Sequence, residues 1–236
     1  MTHTLLRKIV SEFVGTGFLV AAVVGSGIMG ERLAAGNVAI ALLANTIATG
    51  AALFALILTF GPISGGHFNP AVTFVDAIER GVSWIVAACY IPAQCAGAIG
   101  GAVTAHLMFG LPAISVSRHA RSGSAQAFSE FIATFGLICV IWGCTRQRSA
   151  MAPFAVAAYI TAAYWFTSST SFANPAVTIA RSLSDTFTGI RPVDVPPFVT
   201  AQLVGAIAAT FLFRWLAPRV LDIRAKRLVV PTEPSA

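Results

Sequence analysis

Charge is what this sequence most lacks. Only 10% of its 236 residues are Asp, Glu, Lys or Arg, against about 25% in a soluble globular domain. So few charges cannot coat a water-facing surface, which excludes an ordinary soluble protein. Acid is scarcest: nine Asp and Glu stand against fifteen Lys and Arg. The basic surplus is not a nucleic-acid footprint, because that would need a soluble basic face with aromatics among the charges. Cysteine is sparse too. Cys89, Cys95, Cys139 and Cys144 lie inside apolar runs at spacings that match no zinc pattern, so they read as small buried hydrophobes and no metal site is expected.

What is present is apolar length. The chain is 56% hydrophobic with a mean hydropathy of +0.80. Residues Ile9–Met29, Val38–Phe60, Val82–Met108, Ala127–Thr145, Met151–Thr167 and Pro196–Leu216 each approach the length that crosses a ~30 Å hydrocarbon layer. The first is not a signal peptide, since Glu12 interrupts it and no small-x-small cleavage pattern follows. Six spans put both termini on one side. Arg7, Lys8, Arg80, Arg146, Arg148, Arg214, Arg219, Arg224, Lys226 and Arg227 fall on that side; Arg32, Arg118, Arg121, Arg181 and Arg191 fall opposite. The asymmetry predicts cytoplasmic termini. Residues 218–236 read as a short cytoplasmic tail without a fold of its own.

The chain also repeats itself. Ser-Glu-Phe-Val-Gly-Thr around Glu12 returns as Ser-Glu-Phe-Ile-Ala-Thr around Glu130, and Asn-Pro-Ala-Val-Thr at residues 69–73 returns at 174–178. Ala-Gln-Cys-Ala-Gly at 93–97 returns as Ala-Gln-Leu-Val-Gly at 201–205. Three anchors in one order at nearly one offset predict a single domain over 1–236 built from two homologous repeats, 5–110 and 126–217. Three spans per repeat is an odd number, so the second repeat must be inverted relative to the first. The segments 69–79 and 174–184 are helical in pattern but too short to span. Each opens with Asn as N-cap and Pro at the first helical position. Inversion brings both half-helices in from opposite faces, with their N-termini meeting near the membrane centre.

The boxes Asn69-Pro70-Ala71 and Asn174-Pro175-Ala176, the two Glu-led motifs in the first and fourth spans, and the paired Gln-x-x-Gly in the third and sixth resemble the major intrinsic protein family of aquaporins and aquaglyceroporins. The resemblance covers essentially the whole chain. It implies an all-α membrane protein with six spans, two re-entrant half-helices and an inverted 3+3 repeat. It further implies a passive pore, not an enzyme, without cofactor, in the lipid bilayer of a bacterial inner membrane, as a homotetramer with one pore per subunit. Asn69 and Asn174 are then expected to offer N–H donors to a passing oxygen. Backbone carbonyls of Gly65, Gly66, His67, Ser171, Phe172 and Ala173 would line the approaches. Glu12 and Glu130 would brace the re-entrant loops, although a buried carboxylate could also couple a proton to transport.

One departure matters. Water-selective relatives carry an Arg three residues after the second box Asn, where this chain has Val177. Ungapped counting gives Thr49, Ala162 and Ser171 as its companions in the constriction. That ring would be wide, uncharged and free of aromatics. It suits small neutral solutes such as glycerol-like polyols, urea and arsenous acid, with water; the resemblance includes members associated with arsenic resistance. A water-selective pore, or a proton-coupled transporter using Glu12 or Glu130, are the alternatives. Arg181, one turn beyond Val177, reads either as a positive field at the outer mouth or as a helix-end Arg that snorkels to the interface or bonds loop carbonyls.

Overall fold

The computed structural model describes residues 3–147 and 149–217. Arg148 and the tail 218–236, with Arg219, Arg224, Lys226 and Arg227, lie outside the described residues. The described chain is all helical: α1 (Leu5–Leu33), α2 (Val38–Ser64), α3 (Pro70–Ile78), α4 (Trp84–Met108), α5 (Ser124–Gln147), α6 (Ala152–Phe166), α7 (Pro175–Arg181) and α8 (Val195–Leu216). Local chemistry sets several starts. Thr4, Asn37 and Ser83 side chains accept backbone N–H groups in the first turns of α1, α2 and α4, which satisfies donors that the helix itself leaves open.

Five helices are long and apolar enough to cross a membrane; α6, at 15 residues, is shorter. The expected span Met151–Thr167 is trimmed at both ends. Ser149–Met151 form a 3₁₀ turn, and Thr167 is already extended, entering the loop that leads to Asn174.

Packing repeats along the chain. α1 lies against α4 and α5 against α8. Small residues allow the close approach: a Cβ on Gly97 would run into the Phe13 carbonyl, and one on Gly205 into the Phe131 carbonyl. These are the Gly-rich stretches of the third and sixth spans, now seen as helix–helix contacts. The short helices sit inside this frame. α3 touches α4, α7 and α8, while α7 touches α1, α4 and α8. Ala176 and Ala180 are fully buried against a cluster that includes Val20, Val24 and Ala98. Large apolar side chains such as Phe18, Ile47, Ile85, Trp165 and Phe211 face outward, where lipid rather than water is the solvent that tolerates them.

Candidate permeation site

The two half-helices are built alike. Asn69 and Asn174 are both extended at the backbone and both cap with Oδ1, accepting from Ala71 N–H at 2.9 Å and Ala176 N–H at 3.0 Å. Pro follows at the first helical position in each, where a missing N–H leaves nothing unsatisfied. The residues just before the boxes take left-handed conformations that non-Gly residues avoid: φ is +48° at Phe68 and +49° at Ala173. Each such residue costs about 1–2 kcal/mol, and the gain is direction. The turned peptides aim their N–H groups at a carboxylate.

That carboxylate is Glu12 in one loop and Glu130 in the other, both fully buried. Glu12 accepts from His67 N–H at 3.0 Å, Phe68 N–H at 2.7 Å, the Ser64 hydroxyl at 2.6 Å and Gln94 Nε2 at 2.8 Å. Glu130 accepts from Phe172 N–H at 2.9 Å, Ala173 N–H at 2.8 Å and Gln202 Nε2 at 2.6 Å. The glutamines extend the pattern, donating to Thr73 and Thr178 hydroxyls on the half-helices. Both carboxylates are therefore held inside the loop walls, and neither lines the cavity.

The boxes also grip each other. Asn69 Nδ2 donates to the Ala173 carbonyl at 2.7 Å, and Asn174 Nδ2 donates to the Phe68 carbonyl at 2.8 Å. This modifies the expectation that both amides are wholly available to a passing oxygen. One N–H of each is committed across the junction, which leaves the second N–H uncommitted on a residue that lines the cavity. The Ala173 carbonyl is likewise engaged.

A cavity of ≈ 320 Å³ runs past this junction. Asp76, Trp142, Thr145 and Ala152 line it toward the face where α5 ends; Thr49, Tyr164, Val177 and Arg181 line it toward the other. Gly65, Gly66, His67, Phe68, Ser171 and Phe172 contribute loop surface, opposite an apolar wall that includes Leu53, Val72, Val156 and Ile160. The wall offers no hydrogen bonds, and the loops offer them along one side. His67 bonds the Thr73 hydroxyl through Nδ1 at 3.0 Å, with Nε2 3.6 Å from an Asp76 oxygen.

Toward that far face, Thr49, Ser171 and Val177 line the cavity, and Ala162 does not. Ala162 is exposed on the outer face of α6. Tyr164 occupies the inner face and shares a 3.3 Å hydroxyl bond with Thr49. Two residues turn a helix by about 200°, so the ungapped count landed on the wrong side. Val156, Ile160 and Tyr164 recur at four-residue spacing and all line the cavity; that periodicity was the signal to follow. That end of the cavity thus carries an aromatic ring, where the expected set of residues had none.

Of the readings open for Arg181, the bond to a loop carbonyl is seen, to Thr188, and snorkelling is not: the side chain is 2% exposed and lines the cavity. α7 ends at Arg181 instead of running to 184, because the Ser182 and Leu183 carbonyls accept from Ser117 and Ser115 N–H groups of the α4–α5 connection. Arg118 secures the same loop at Asp185; its backbone N–H and guanidinium hold the Asp185 carboxyl below the usual carboxylate range. His106 is fully buried and joins the Pro112 carbonyl to the Ser184 hydroxyl, both at 2.8 Å. Arg121 was assigned only a side of the membrane. It bonds the Gly189 and Ser169 carbonyls of the loops on either side of α7, and no sequence pattern marks it. The four cysteines are half-buried and free. No group of three or more His, Cys, Asp or Glu gathers among the described residues.

Residues 1–171 and 149–234 match the family described as "Major intrinsic protein". The chain is 55% identical over 212 residues to the aquaglyceroporin AqpS of Rhizobium meliloti (strain 1021), covering 90% of this chain and 91% of that one. It is 34% identical to Nodulin-26 of Glycine max, over 88% of this chain and 77% of that one. Among solved structures, the aquaglyceroporin from Plasmodium falciparum superposes with a TM-score of 0.71 at 22% identity, covering 90% of this chain and 97% of that one.

Proposed function

Because the chain belongs to the major intrinsic protein family of membrane channels, we propose that it is a passive pore for small neutral solutes as well as water. Glycerol-like polyols, urea and metalloid hydroxides such as arsenous acid are the solute class. The observation that carries this reading is the far neck. Val177 stands on the cavity wall three residues after Asn174, beside Thr49 and Ser171, so the position that narrows a water-selective pore holds a short apolar side chain. A polyol can turn its carbons to Leu53, Ile160 and Val177 and its hydroxyls to Thr49, Ser171 and the box amides. Nothing in that path makes or breaks a covalent bond. The transported solute exchanges water hydrogen bonds for protein ones and follows its own gradient.

The topology belongs to the same reading. Two inverted repeats, residues 5–110 and 126–217, bring α3 and α7 to the junction from opposite faces. The termini lie in the cytoplasm of a bacterial inner membrane, and four copies assemble with a pore in each. Native mass spectrometry from detergent should then release four-subunit particles.

Stopped-flow light scattering on proteoliposomes tests the solute class. Wild type should pass water, glycerol and urea. Val177→Arg should keep most water flux and lose glycerol flux about tenfold, the effect of ~1.4 kcal/mol at the neck. Wild type that conducts water alone would falsify the reading and make Tyr164 the filter. Uptake driven uphill by a proton gradient would replace the pore with a coupled transporter.

A further inference from the structure

The side chain that the neutral-solute reading leaves unused is Arg181. It ends α7 with 2% of its surface exposed, buried at membrane depth. Among the described residues no carboxylate pairs with it. What holds it is neutral. Nε donates to the Thr188 carbonyl, and the guanidinium carbon sits 3.3 Å from the centroid of the Phe172 ring. A second guanidinium, Arg121, approaches the same ring at 5.0 Å, so positive charge accumulates around Phe172. Arg181 Nη1 is buried with no hydrogen-bond partner, and the residue lines the cavity.

A buried cation without a counter-ion is expensive, and a buried donor left open adds to that cost. Such a group is kept in membrane proteins where it faces a pathway. The loop around Arg181 is built to fix it. Thr188 belongs to a chain of hydroxyls in which Thr186 lies 3.4 Å from Thr188 and 2.8 Å from Ser184. Ser184 in turn meets the fully buried His106 at 2.8 Å. A side chain that merely snorkelled would need none of this.

The geometry points to Arg181 as the specificity-determining cation of the pore. Resting on the channel reading above, this assigns the cavity-facing edge of the Arg181 guanidinium as the donor to the acceptor oxygen of each passing neutral solute, hydroxyl or carbonyl. The charge makes the same neck a barrier to cations. Val177 leaves the width; Arg181, one helical turn away, supplies the field and a directed hydrogen bond. Size selection and charge selection are then carried by different residues.

Two variants test it, each reconstituted as the full chain, with potassium conductance in planar bilayers and glycerol and urea permeability by light scattering. Arg181→Gln keeps a donor and removes the charge; potassium conductance should rise about tenfold, as expected when a unit charge within a few ångströms of the path is lost. Arg181→Lys keeps the charge, but one ammonium cannot serve both the Thr188 carbonyl and the lumen. It should leave conductance near wild type and lower the glycerol-to-urea permeability ratio about threefold, a loss that fits one weakened hydrogen bond. Unchanged conductance in Arg181→Gln overturns the proposal. A rise as large in Arg181→Lys as in Arg181→Gln overturns it too, since the side chain would then only plug the neck. If Arg181→Gln does not reach the membrane fraction, Arg181→Lys decides alone: an unchanged permeability ratio overturns the assignment. Loss of glycerol flux in wild type would sink the neutral-solute reading, whereas the conductance arm would still report on Arg181.

Discussion

Glu130 shows how much one buried carboxylate does at the scale of a single residue. Its two oxygens take backbone N–H groups from Phe172 and Ala173 and an amide from Gln202. Every donor points inward, so the group acts as a template for the loop that carries Ser171 to Asn174. Glu130→Gln replaces one acceptor oxygen with an NH₂ that confronts donors. At least one buried N–H would lose its partner, costing about 1–3 kcal/mol. The expected result is a lower unfolding midpoint in detergent together with reduced solute flux, read by tryptophan fluorescence and light scattering. Uptake should stay insensitive to a proton gradient, because the carboxylate serves the wall and not the lumen. The residue scale is also where counting along the chain failed. Ala162 and Tyr164 are two positions apart, and only the turn of α6 decides which of them meets the solute.

At the scale of elements, α3 and α7 are the unusual parts. Nine and seven residues make poor helices alone, since nucleation is costly and short helices are marginal in water. They persist here because each end is provided for. Asn caps and Pro starts the helix; Glu holds the preceding loop; Gln clasps the Thr one turn in. The reciprocal Asn–carbonyl bonds then fasten one half-helix to the other. Asn174→Ala removes a cap, worth ~1 kcal/mol, and a buried bond of similar net value. It should destabilise the protein by about 2 kcal/mol on those two grounds. Asn69→Ala should couple to it rather than add, with an interaction energy of about 0.5–3 kcal/mol in a double-mutant cycle. Strict additivity would mean that the two boxes do not support each other.

At the scale of the whole molecule, the halves are joined at more than the junction. Glu79, just past α3, receives Arg146 from the end of α5 at 3.1 Å and Arg214 from α8 at 2.6 Å. Arg146 also reaches the Phe213 and Ala217 carbonyls. One carboxylate of the first half thus sits between two guanidiniums of the second. Both Glu79 and Arg146 side chains are mostly buried, where removing one partner of an ion pair costs about 3–5 kcal/mol. Glu79→Gln should therefore lower thermal stability more than any exposed charge change, with permeability per folded channel kept within about twofold because the pair lies off the lumen. A large flux change at unchanged stability would instead make this cluster a gate.

The sequence by itself determined the class, the spans, the paired boxes and the carboxylates that brace them. Those features follow from composition, hydrophobic length and a motif repeated in order, all of which are properties of a linear string. Ungapped counting and comparison with a family pattern also proposed Thr49, Ser171 and Val177 as a set, and all three line the cavity. Only the tertiary structure decided what else stands there. Tyr164 replaces Ala162 because the rotation of α6 depends on its packing against α2 and α5. Arg121 and His106 brace the loops beside the half-helix through contacts that span 48 to 78 positions. Arg181 is buried because the connection after α7 is pulled onto Ser115 and Ser117 and its carbonyl at Thr188 meets the guanidinium. Long-range backbone pairing of that kind leaves no periodicity in the chain. The sequence could name the arginine, and the fold alone could turn it toward the lumen.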